Sequence, residues 1–448
     1  MKERELELNS TFNKIQNKLN IVISKKTTLI YIAIDTLFFC LIAFKFEKEI
    51  QINFNFSEIY LFIIYSLWIL GSYIFDRYTK EKKSLLRLLV TQILSSLIIT
   101  LLALIFLNLL DIFILKSGYA IQYIGFLFEF LVIIIPINTS ITYLFLKKLH
   151  LNNDWLYLCK ERESEFLKEE IFIKNLKIIT KNKEEICETN SRFIRGIIYD
   201  SNYCNYLELK SKFPNKEIFS LSEWAENFLL KYPIVNISEK NINENLFNPP
   251  NNIQKKIKRL SDLILSLILF VVFLPVIIIS MVFIFLEDGA PLFYSQKRTG
   301  LNKKLFKITK LRTMKKDAER DGPQWAKAND IRITKIGAIL RKYRIDELPQ
   351  LISVIKGDLS LIGPRPERPE IDSLLEKKIK YYMYRYTIKP GLSGWAQVNY
   401  PYGASESDAK NKLCYDLFYL KNYSYFLDII IFFKTIKLVF NAKGSKPY

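Results

Sequence analysis

The sequence predicts a membrane protein in three parts: an N-terminal α-helical bundle of four transmembrane helices, a small Rossmann-like α/β domain, and a mainly α-helical domain anchored by a re-entrant membrane helix broken at a proline. Three observations lead to this fold class. Half of the 448 residues are hydrophobic, and they are concentrated in four long runs before residue 150 and one near residue 270. Residues 151–250 are charged and rich in asparagine, and the formal net charge is +20. Long apolar runs with polar segments attached are typical of membrane proteins.

The four N-terminal apolar runs fit membrane-spanning helices, because each reaches or approaches the roughly 20 residues that cross a bilayer. They are residues 28–45, 58–75, 85–110 and 122–146. Basic residues are most frequent before the first run, between the second and third, and after the fourth. Since basic loops stay in the cytoplasm, residues 1–27 and both ends of the block 28–148 are expected there. The N-terminus lacks the short apolar core of a cleavable signal peptide.

Residues 151–240 predict a small cytoplasmic α/β domain. The short apolar stretches 155–159, 176–179 and 196–199 read as strands, with helical patterns between them. Gly196 is the only glycine between residues 151 and 250, so no glycine-rich nucleotide-binding loop can form. A structural or regulatory role is therefore expected. Residues 241–254, which include two adjacent prolines, read as a linker.

The apolar segment 260–286 is long enough to cross a membrane, but two features favour a helix that enters and returns to the same face. Basic residues crowd both of its ends, which places both flanks in the cytoplasm. Pro275, near its middle, removes a backbone donor and can bend a helix sharply. The alternative is a simple crossing. Near the C-terminus, residues 426–440 form a shorter apolar run with three charges, which suits either a helix in the membrane interface or an ordinary packed core helix.

Charge and composition narrow the functional class. A charge of +20 fits an anionic membrane surface or a phosphate substrate. No helix-turn-helix, zinc or RNA-binding signature supports a nucleic-acid partner. The five cysteines are scattered without a C-x-x-C spacing and His150 is the only histidine, so a zinc site or a disulfide framework is not expected. Reduced thiols facing a cytoplasm are the expectation.

The densest chemical signal is the adjacent carboxylate pair Asp346 and Glu347. Arg341 and Arg344 precede the pair, and a rigid Gly-Pro-Arg-Pro turn that contains Arg365 follows it. Neighbouring cations keep carboxylates ionised and can clamp phosphate oxygens. An ionised carboxylate can attack phosphorus to form an acyl phosphate. The two acids can also hold Mg²⁺, which usually binds one or two carboxylates together with substrate phosphates. The alternative is a pair of ordinary first-turn helix charges.

Two further clusters accompany this pair. In residues 293–314 the cations Lys297, Arg298, Lys310 and Arg312 alternate with apolar residues, which predicts cations held in fixed positions on a half-buried element. The alternative is a solvated basic face. In residues 389–402 two turn signals precede a tryptophan and polar residues that can stack and hydrogen bond.

Together these motifs resemble the bacterial sugar transferase family, the monotopic phosphoglycosyl transferases. The matching elements are the proline-containing apolar segment with basic flanks, QKRTG, FKITKLRTM, LRKYRIDELPQLISVIKGDLSLIGPRP and KPGLSGWAQVN, in that order. They identify residues 255–448 as the catalytic domain. The preceding parts resemble the long, polytopic subgroup that primes exopolysaccharide and O-antigen synthesis on undecaprenyl phosphate.

The resemblance implies a transferase that moves sugar-1-phosphate from a UDP-sugar to polyprenyl phosphate and releases UMP, with Mg²⁺ as cofactor. Asp346 is the implied nucleophile, and Glu347 the implied residue for metal and acceptor. The implied phosphate-binding residues are Arg341, Lys310, Arg312, Arg365, Lys297 and Arg298. Pro275 is the implied break of the re-entrant helix. The implied place is the cytoplasmic face of the bacterial inner membrane, with the lipid bilayer as a partner and a homodimer expected.

The sequence departs from the family pattern at three positions, Leu274, Arg344 and Lys303, none of which removes a catalytic group. The competing interpretation is a catalytically inactive scaffold or export subunit of a polysaccharide assembly machine. The motifs do not indicate which sugar is transferred or which pathway the chain serves.

Overall fold

The computed structural model describes residues 26–49, 54–74, 85–111, 123–148, 154–158, 178–181, 194–200, 203–234, 251–316, 318, 330–400, 403 and 405–440. These residues divide into two compact units, Met1–Ser220 and Leu221–Tyr448. Cys159, Cys187 and His150 lie outside the described residues. The three cysteines inside them, Cys40, Cys204 and Cys414, are free thiols.

The first unit contains four apolar helices, and each matches one of the four predicted runs. They are α1 (Lys26–Glu49), α2 (Phe54–Ile74), α3 (Leu85–Leu110) and α4 (Tyr123–Lys148). Helix α4 contacts α1 and α3, and α2 contacts α1 and α3. Buried aromatic rings fill the centre, with Phe39 packed edge-on against Phe126 and Phe130, and Trp68 against Phe130.

A buried polar cluster joins three of these helices. Asp35 of α1 accepts a hydrogen bond of 2.8 Å from the Trp68 indole on α2 and one of 2.7 Å from the Asn138 amide on α4. All three residues are at most 1% exposed. Each carboxylate oxygen of Asp35 thus receives a donor from a different helix. Satisfied networks of this kind fix how helices pair.

The outer surface of the four helices is apolar. Exposed large apolar side chains include Leu37, Leu41 and Phe44 on α1 and Leu94, Leu97 and Leu101 on α3. Where side chains are described, two helices are long and apolar enough to cross a membrane, Tyr123–Ile141 within α4 and the later helix Asn252–Asp288. Shorter apolar stretches lie within α2 and α3, at Glu58–Ser72 and Gln92–Asn108.

The rest of the first unit is a small α/β arrangement. Four parallel strands, in the order β2, β1, β3, β4, are β1 (Asp154–Leu158), β2 (Ile178–Lys181), β3 (Ile194–Tyr199) and β4 (Glu217–Ser220), with helix α5 (Tyr206–Lys212) between β3 and β4. The three predicted strands therefore exist, with ends shifted by one to two residues. A Cβ at Gly196 would lie 2.6 Å from the Trp155 ring, so this glycine makes room for an indole.

Residues 221–234 belong to the second unit, whereas the sequence grouped residues 151–240 as one domain. They form a short helix, α6 (Leu221–Trp224), and a wide turn, Ala225–Leu229. The Tyr232 amide donates to the Cys414 carbonyl at 2.9 Å, and the Trp395 indole donates to the Leu230 carbonyl at 2.8 Å. These long-range bonds could not be read from local sequence.

The membrane helix predicted for residues 260–286 is longer and continuous. Helix α7 (Asn252–Asp288) begins with a capping box between Asn251 and Gln254, so residues 252–254 are its first turn and not linker. Helix α7 continues through Pro275, which lies inside it. The re-entrant bend at this proline stays a prediction. Residues 271–275 are exposed on every side, whereas each arm buries one face against the unit.

The remaining elements follow α7 in a mainly helical arrangement. They are β5 (Phe293–Thr299), β6 (Leu305–Leu311), α8 (Lys335–Lys342), a 3₁₀ turn (Ile345–Gln350), α9 (Leu351–Lys356), β7 (Ser360–Ile362), α10 (Pro369–Lys378), a second 3₁₀ turn (Tyr382–Tyr386), β8 (Gly391–Ser393), α11 (Trp395–Asn399), α12 (Glu406–Lys421) and α13 (Tyr425–Phe440). Strands β5 and β6 form an antiparallel hairpin, and β7 pairs with β8 in parallel. Ile277 and Ile284 of α7 pack with Leu311 and Leu340 in the core beneath the 3₁₀ turn.

Helix α13 packs on the rest of the second unit through one face only, and the membrane-interface interpretation stays a prediction. One face is buried, with Leu427, Ile430 and Ile431 packed inward, and the helix contacts β7, β8 and α11. The other face exposes large apolar side chains: Phe426, Ile429, Phe433 and Phe440.

Candidate active site

The carboxylate pair lies on a tight 3₁₀ turn immediately after α8. Thr334 caps the start of α8 by accepting a hydrogen bond from the Gly337 amide at 2.9 Å. After the helix, Arg344 adopts a left-handed conformation with φ of 54°, and the turn Ile345–Gln350 follows. A left-handed backbone is costly for a residue with a side chain and is often found where a site needs a fixed geometry. The reversal at Arg344 places both acids in a partly buried position.

Glu347 is held by three cations. Its carboxylate lies 2.6 Å from the Arg365 guanidinium, 2.9 Å from the Lys310 ammonium and 3.4 Å from the Arg344 guanidinium. Burial acts to raise the pKa of Glu347, but Arg365, Lys310 and Arg344 outweigh it and hold the pKa well below its ordinary value. Glu347 is therefore a permanent anion.

The pKa of Asp346 is shifted in the opposite direction. Among the described residues none donates a hydrogen bond to its carboxylate, and the residue is 8% exposed. Burial, together with the negative charge of Glu347, raises the pKa of Asp346 to about 6, while Lys310, Arg341 and Arg344 act to lower it. One acid of the pair is thus fixed by ion pairs, and its neighbour keeps its carboxylate available for another partner.

Two of the four cations predicted from residues 293–314 face this pair. Lys310 pairs with Tyr294 across the hairpin and Arg298 with Phe306, which places both cations on the same face. Burial lowers the pKa of both Lys310 and Arg298, whereas the acids beside them act to raise it. Arg298 donates to the Pro366 carbonyl at 3.1 Å and lies 3.6 Å from Glu367.

The other two of these four cations lie elsewhere. Lys297 pairs with Lys307 on the opposite face of the hairpin, and both are exposed. Arg312, just after β6, donates to the carbonyls of Asp288 and Gly289 at 3.0 and 2.8 Å and pairs with the Asp288 carboxylate at 3.0 Å. Lys297 therefore lies on the opposite face of the strand from Lys310, and Arg312 closes the end of α7. The phosphate-binding role predicted for these two residues stays a prediction.

Arg341 lies on the last turn of α8 and is positioned by its neighbour Thr313. The Arg341 guanidinium donates to the Thr313 hydroxyl at 2.8 Å. Helix α8 can approach this residue because position 337 is glycine: a Cβ there would lie 2.1 Å from the Thr313 carbonyl oxygen. The charge of Arg341 acts to lower the pKa of Asp346, so this cation favours the ionised form of the available carboxylate.

Arg365 reaches the site from the Pro-Arg-Pro turn, which packs against the KPGLSG motif. The Gly363 amide donates to the Ser393 carbonyl at 2.8 Å, and the Gly391 amide donates to the Pro364 carbonyl at 2.9 Å. The third sequence cluster thus supports the turn. Its Trp395 indole is buried, stacked on Phe418 and bonded to the Leu230 carbonyl.

The donor set fits a metal ion that a substrate helps to bind. Among the described residues no three His, Cys, Asp or Glu side chains lie close enough to form a metal cage. Asp346 and Glu347 nevertheless supply neighbouring oxygens, and Mg²⁺ commonly takes one or two carboxylates plus substrate phosphates. Glu347 is already paired with three cations, so Asp346 is the carboxylate with room for a metal oxygen contact.

The sequence named Arg344 only as a neighbouring cation, and it left Thr313 and Arg385 out of the site. Arg344 contacts Glu347 three residues away, a spacing at which neighbouring side chains on a helical turn meet. Thr313 supports Arg341, and Arg385 donates to the Arg365 carbonyl at 2.8 Å. Only Arg344 carried a local signal. Thr313 and Arg385 reach the site through tertiary contacts.

Comparison with known proteins places this site in a family. The model of the bacterial sugar transferase family matches residues 253–442, from the first turn of α7 to just past α13. A sugar transferase of Bacillus subtilis, EpsL, is 38% identical over 188 residues that cover 42% of this chain and 89% of that protein. The chain belongs to the bacterial sugar transferase family.

Other relatives in this family carry more specific names. A putative undecaprenyl-phosphate N-acetylgalactosaminyl 1-phosphate transferase of Bacillus subtilis is 47% identical over 129 residues, which cover 29% of this chain and 72% of that protein. A UDP-N-acetylgalactosamine-undecaprenyl-phosphate N-acetylgalactosaminephosphotransferase of Aeromonas hydrophila is 37% identical over 229 residues, or 51% of this chain. The match spans about half of that relative, 53% of its length. The carboxylate pair and all its contacting cations lie inside the sugar transferase domain.

Proposed function

We propose that this protein transfers sugar-1-phosphate from a UDP-sugar to undecaprenyl phosphate, or another polyprenyl phosphate, and releases UMP. The observation that carries the proposal is the asymmetric acid pair: Glu347 is held by three cations, whereas the buried carboxylate of Asp346 receives no hydrogen bond from the residues that the structure describes. The names of the Aeromonas and Bacillus relatives support an undecaprenyl-phosphate acceptor. The product starts the assembly of a polysaccharide.

The proposed reaction has two displacements at one phosphorus atom. A carboxylate oxygen of Asp346 attacks the β-phosphorus of the UDP-sugar, and the bond to the bridging oxygen breaks so that UMP leaves with the electron pair. The sugar-1-phosphate is then an acyl phosphate on Asp346. A phosphate oxygen of the polyprenyl phosphate attacks the same phosphorus, and the bond to Asp346 breaks to restore the carboxylate.

The cations around the pair stabilise charge in both steps. Lys310, Arg298 and Arg365 line one side and can bind diphosphate oxygens, while Arg341 lies next to Asp346. Cations placed before the reaction lower its barrier because no reorganisation is needed as charge develops. When bound, Mg²⁺ would supply further positive charge at the diphosphate, held by Asp346 and by Glu347. Glu347 also keeps Lys310, Arg344 and Arg365 gathered around the nucleophile.

The arrangement of α7 and α13 supports a site at the membrane face. Residues 271–275 of α7 are exposed all round, whereas both arms pack on the sugar transferase domain. If α7 bends at Pro275, enters the bilayer and returns to the same face, lipid would cover the exposed apolar residues 271–275. The exposed apolar face of α13 suits the membrane interface. We propose that the site is cytoplasmic and that the protein is a multi-pass protein of the bacterial inner membrane. The homodimer expected from the resemblance stays a prediction.

The decisive experiment measures UMP release by the purified full chain in detergent or nanodiscs with Mg²⁺ and polyprenyl phosphate. A panel of UDP-sugars should include UDP-N-acetylgalactosamine and UDP-glucose, because relatives carry both names. We expect release with at least one sugar and a loss of about 10³-fold or more for Asp346→Asn. A labelled sugar-phosphate should stay attached to the wild-type protein before acceptor is added, and not to Asp346→Asn.

Two outcomes would contradict the proposal. Full activity of Asp346→Asn would exclude Asp346 as the nucleophile. Absence of UMP release with every UDP-sugar, from protein whose thermal unfolding is cooperative, would favour the inactive scaffold or export subunit.

A further inference from the structure

A buried arginine lies directly behind the Pro-Arg-Pro turn. Arg385, on the second 3₁₀ turn, is 7% exposed and donates from its guanidinium to the backbone carbonyl of Arg365 at 2.8 Å. The side chain of Arg365 extends the other way and lies 2.6 Å from Glu347. One residue therefore links the acid pair in front to the buried cation behind.

The Pro-Arg-Pro turn is held through its carbonyl groups. Prolines have no backbone N–H, so this turn offers few donors of its own. Instead, four successive carbonyls each accept one bond: Pro364 from the Gly391 amide at 2.9 Å, Arg365 from Arg385 at 2.8 Å, Pro366 from Arg298 at 3.1 Å and Glu367 from the Thr299 amide at 3.1 Å. Two of these donors are backbone groups and two are arginine side chains. Arg385 holds the carbonyl in the middle of the turn.

Arg385 is itself fixed by buried acids from two other helices. Its guanidinium lies 3.2 Å from the Asp416 carboxylate of α12 and 3.9 Å from the Asp372 carboxylate of α10, and it donates to the Tyr382 hydroxyl. Asp416 and Asp372 are 2% and 4% exposed. A guanidinium can serve these partners at once because it has five donors in a rigid plane, whereas a lysine has one ammonium.

We propose that Arg385 is a positioning residue for the transfer reaction, which sets the place of Arg365 against Glu347 and the substrate diphosphate without touching the reacting atoms. The proposal rests on the function proposed above. Its physical reason is that loosening the middle carbonyl lets Arg365 shift, and displacement of a charged group by about 1 Å can cost roughly 10²-fold in rate.

The test is a double-mutant cycle in the full chain, measured as kcat/KM for UMP release. We expect Arg385→Met to lower kcat/KM about 10²-fold. Arg385→Lys should lower it about tenfold, because one ammonium cannot reach the Arg365 carbonyl and Asp416 together with Tyr382 and Asp372, which the second terminal nitrogen of the guanidinium contacts. In a protein that already carries Arg365→Met, adding Arg385→Met should lower kcat/KM by less than about threefold. The effects of two substitutions are not additive when one residue acts through the other. Lys377→Met, an exposed cation of α10, is the control.

A second measurement does not depend on activity. Hydrogen exchange of the Gly363, Gly391 and Thr299 amides, which are hydrogen-bonded at this turn, should be at least about tenfold faster in Arg385→Met or Asp416→Asn than in Lys377→Met. Asp416→Asn keeps the side-chain shape and provides a variant if Arg385→Met folds poorly. Fully additive losses in the cycle, or unchanged exchange in this turn, would overturn the proposal. If the wild type releases no UMP, the proposed function fails, and the exchange result still decides the role of Arg385.

Discussion

The pKa values of two adjacent acids are shifted in opposite directions because their side chains have different neighbours. Glu347 accepts three cations at 2.6 to 3.4 Å, and its pKa falls well below the ordinary value. Burial and the negative charge of Glu347 raise the pKa of Asp346 to about 6. Pairs of acids whose pKa values are driven apart commonly divide the work of a site. Here the division leaves Asp346 as the group that can react.

The raised pKa of Asp346 predicts a pH dependence of the transfer reaction. The carboxylate must be ionised to attack phosphorus, so kcat/KM should rise with pH with an apparent pKa near 6 and be roughly tenfold lower at pH 5 than on its plateau. Arg341 acts to lower this pKa, so Arg341→Met should move the rising limb to higher pH. UMP release between pH 5 and 8 at low UDP-sugar concentration measures both. A rise of kcat/KM with an apparent pKa near 4 would contradict a raised pKa of Asp346.

The same pKa shifts predict opposite stability changes at the two acids. A pKa of Asp346 raised from the ordinary 3.8 to about 6 means that ionising it above pH 6 weakens the folded state. Asp346→Asn should therefore raise the free energy of unfolding at pH 7.5, on the order of 2 kcal/mol. The depressed pKa of Glu347 means that its ionised form stabilises the fold, so Glu347→Gln should cost about 3 kcal/mol.

Thermal unfolding of Asp346→Asn and Glu347→Gln in the same detergent measures these two stability changes. The stabilising effect of Asp346→Asn should disappear below about pH 4, where the wild-type Asp346 is protonated in the folded and the unfolded chain. A fall in the unfolding midpoint for Asp346→Asn at pH 7.5 would show that its carboxylate is stabilising and would contradict this account.

At the scale of elements, α7 joins the two ends of the segment that carries the acid pair. Near its start, Arg259 donates to the carbonyls of Val354 and Ile355 at 2.6 Å, at the end of α9. At its other end, Glu287 accepts from the Lys335 and Ile336 amides at the start of α8, at 2.7 and 3.0 Å. The apolar helix therefore holds the segment 335–356 at both ends. A change in the position of α7 is therefore expected to change the geometry of the acid pair as well.

Arg312 offers a test at this scale, because it closes the end of α7 and does not face the acid pair. Arg312→Met removes donors from the carbonyls of Asp288 and Gly289 and leaves the Asp288 carboxylate without its ion pair. We expect a loss of about 2 kcal/mol or more in the free energy of unfolding. The matched control is Lys307→Met, an exposed cation on the neighbouring strand, which should not change the unfolding midpoint. Equal midpoints for the two variants would contradict the structural role of Arg312.

At the scale of the whole molecule, the sugar transferase unit includes a segment that precedes the family domain. Residues 221–234 lie before the matched range 253–442 and yet pack within the second unit. Glu226 lies 2.5 Å from Lys421, and the fully buried Lys231 donates to Asn411 at 3.3 Å. The strand β4 ends at Ser220, so the polypeptide passes directly from the α/β sheet into the transferase unit.

A protease site engineered between residues 241 and 250 tests this organisation in the full chain. After cleavage, the fragment that ends with residues 221–234 should remain bound to the rest of the transferase unit and co-elute with it in mild detergent. Lys231→Glu places a negative charge in a fully buried position, so the cut variant should dissociate. Separation of the cut wild-type fragments, or co-elution of the cut variant, would contradict a tight contact through this segment.

The sequence alone determined the apolar helices, three strands of the α/β sheet, the family and the acid pair, because these depend on local periodicity and on contiguous motifs. Tertiary structure decided which of the predicted cations lie near the acid pair. Lys310 and Arg298 face Glu347, while Lys297 lies on the other face of the hairpin, since strand pairing determines the direction of each side chain. The buried contacts of Arg385, the continuity of α7 through Pro275 and the place of residues 221–234 arise from residues far apart in the chain, whose meeting no local pattern encodes.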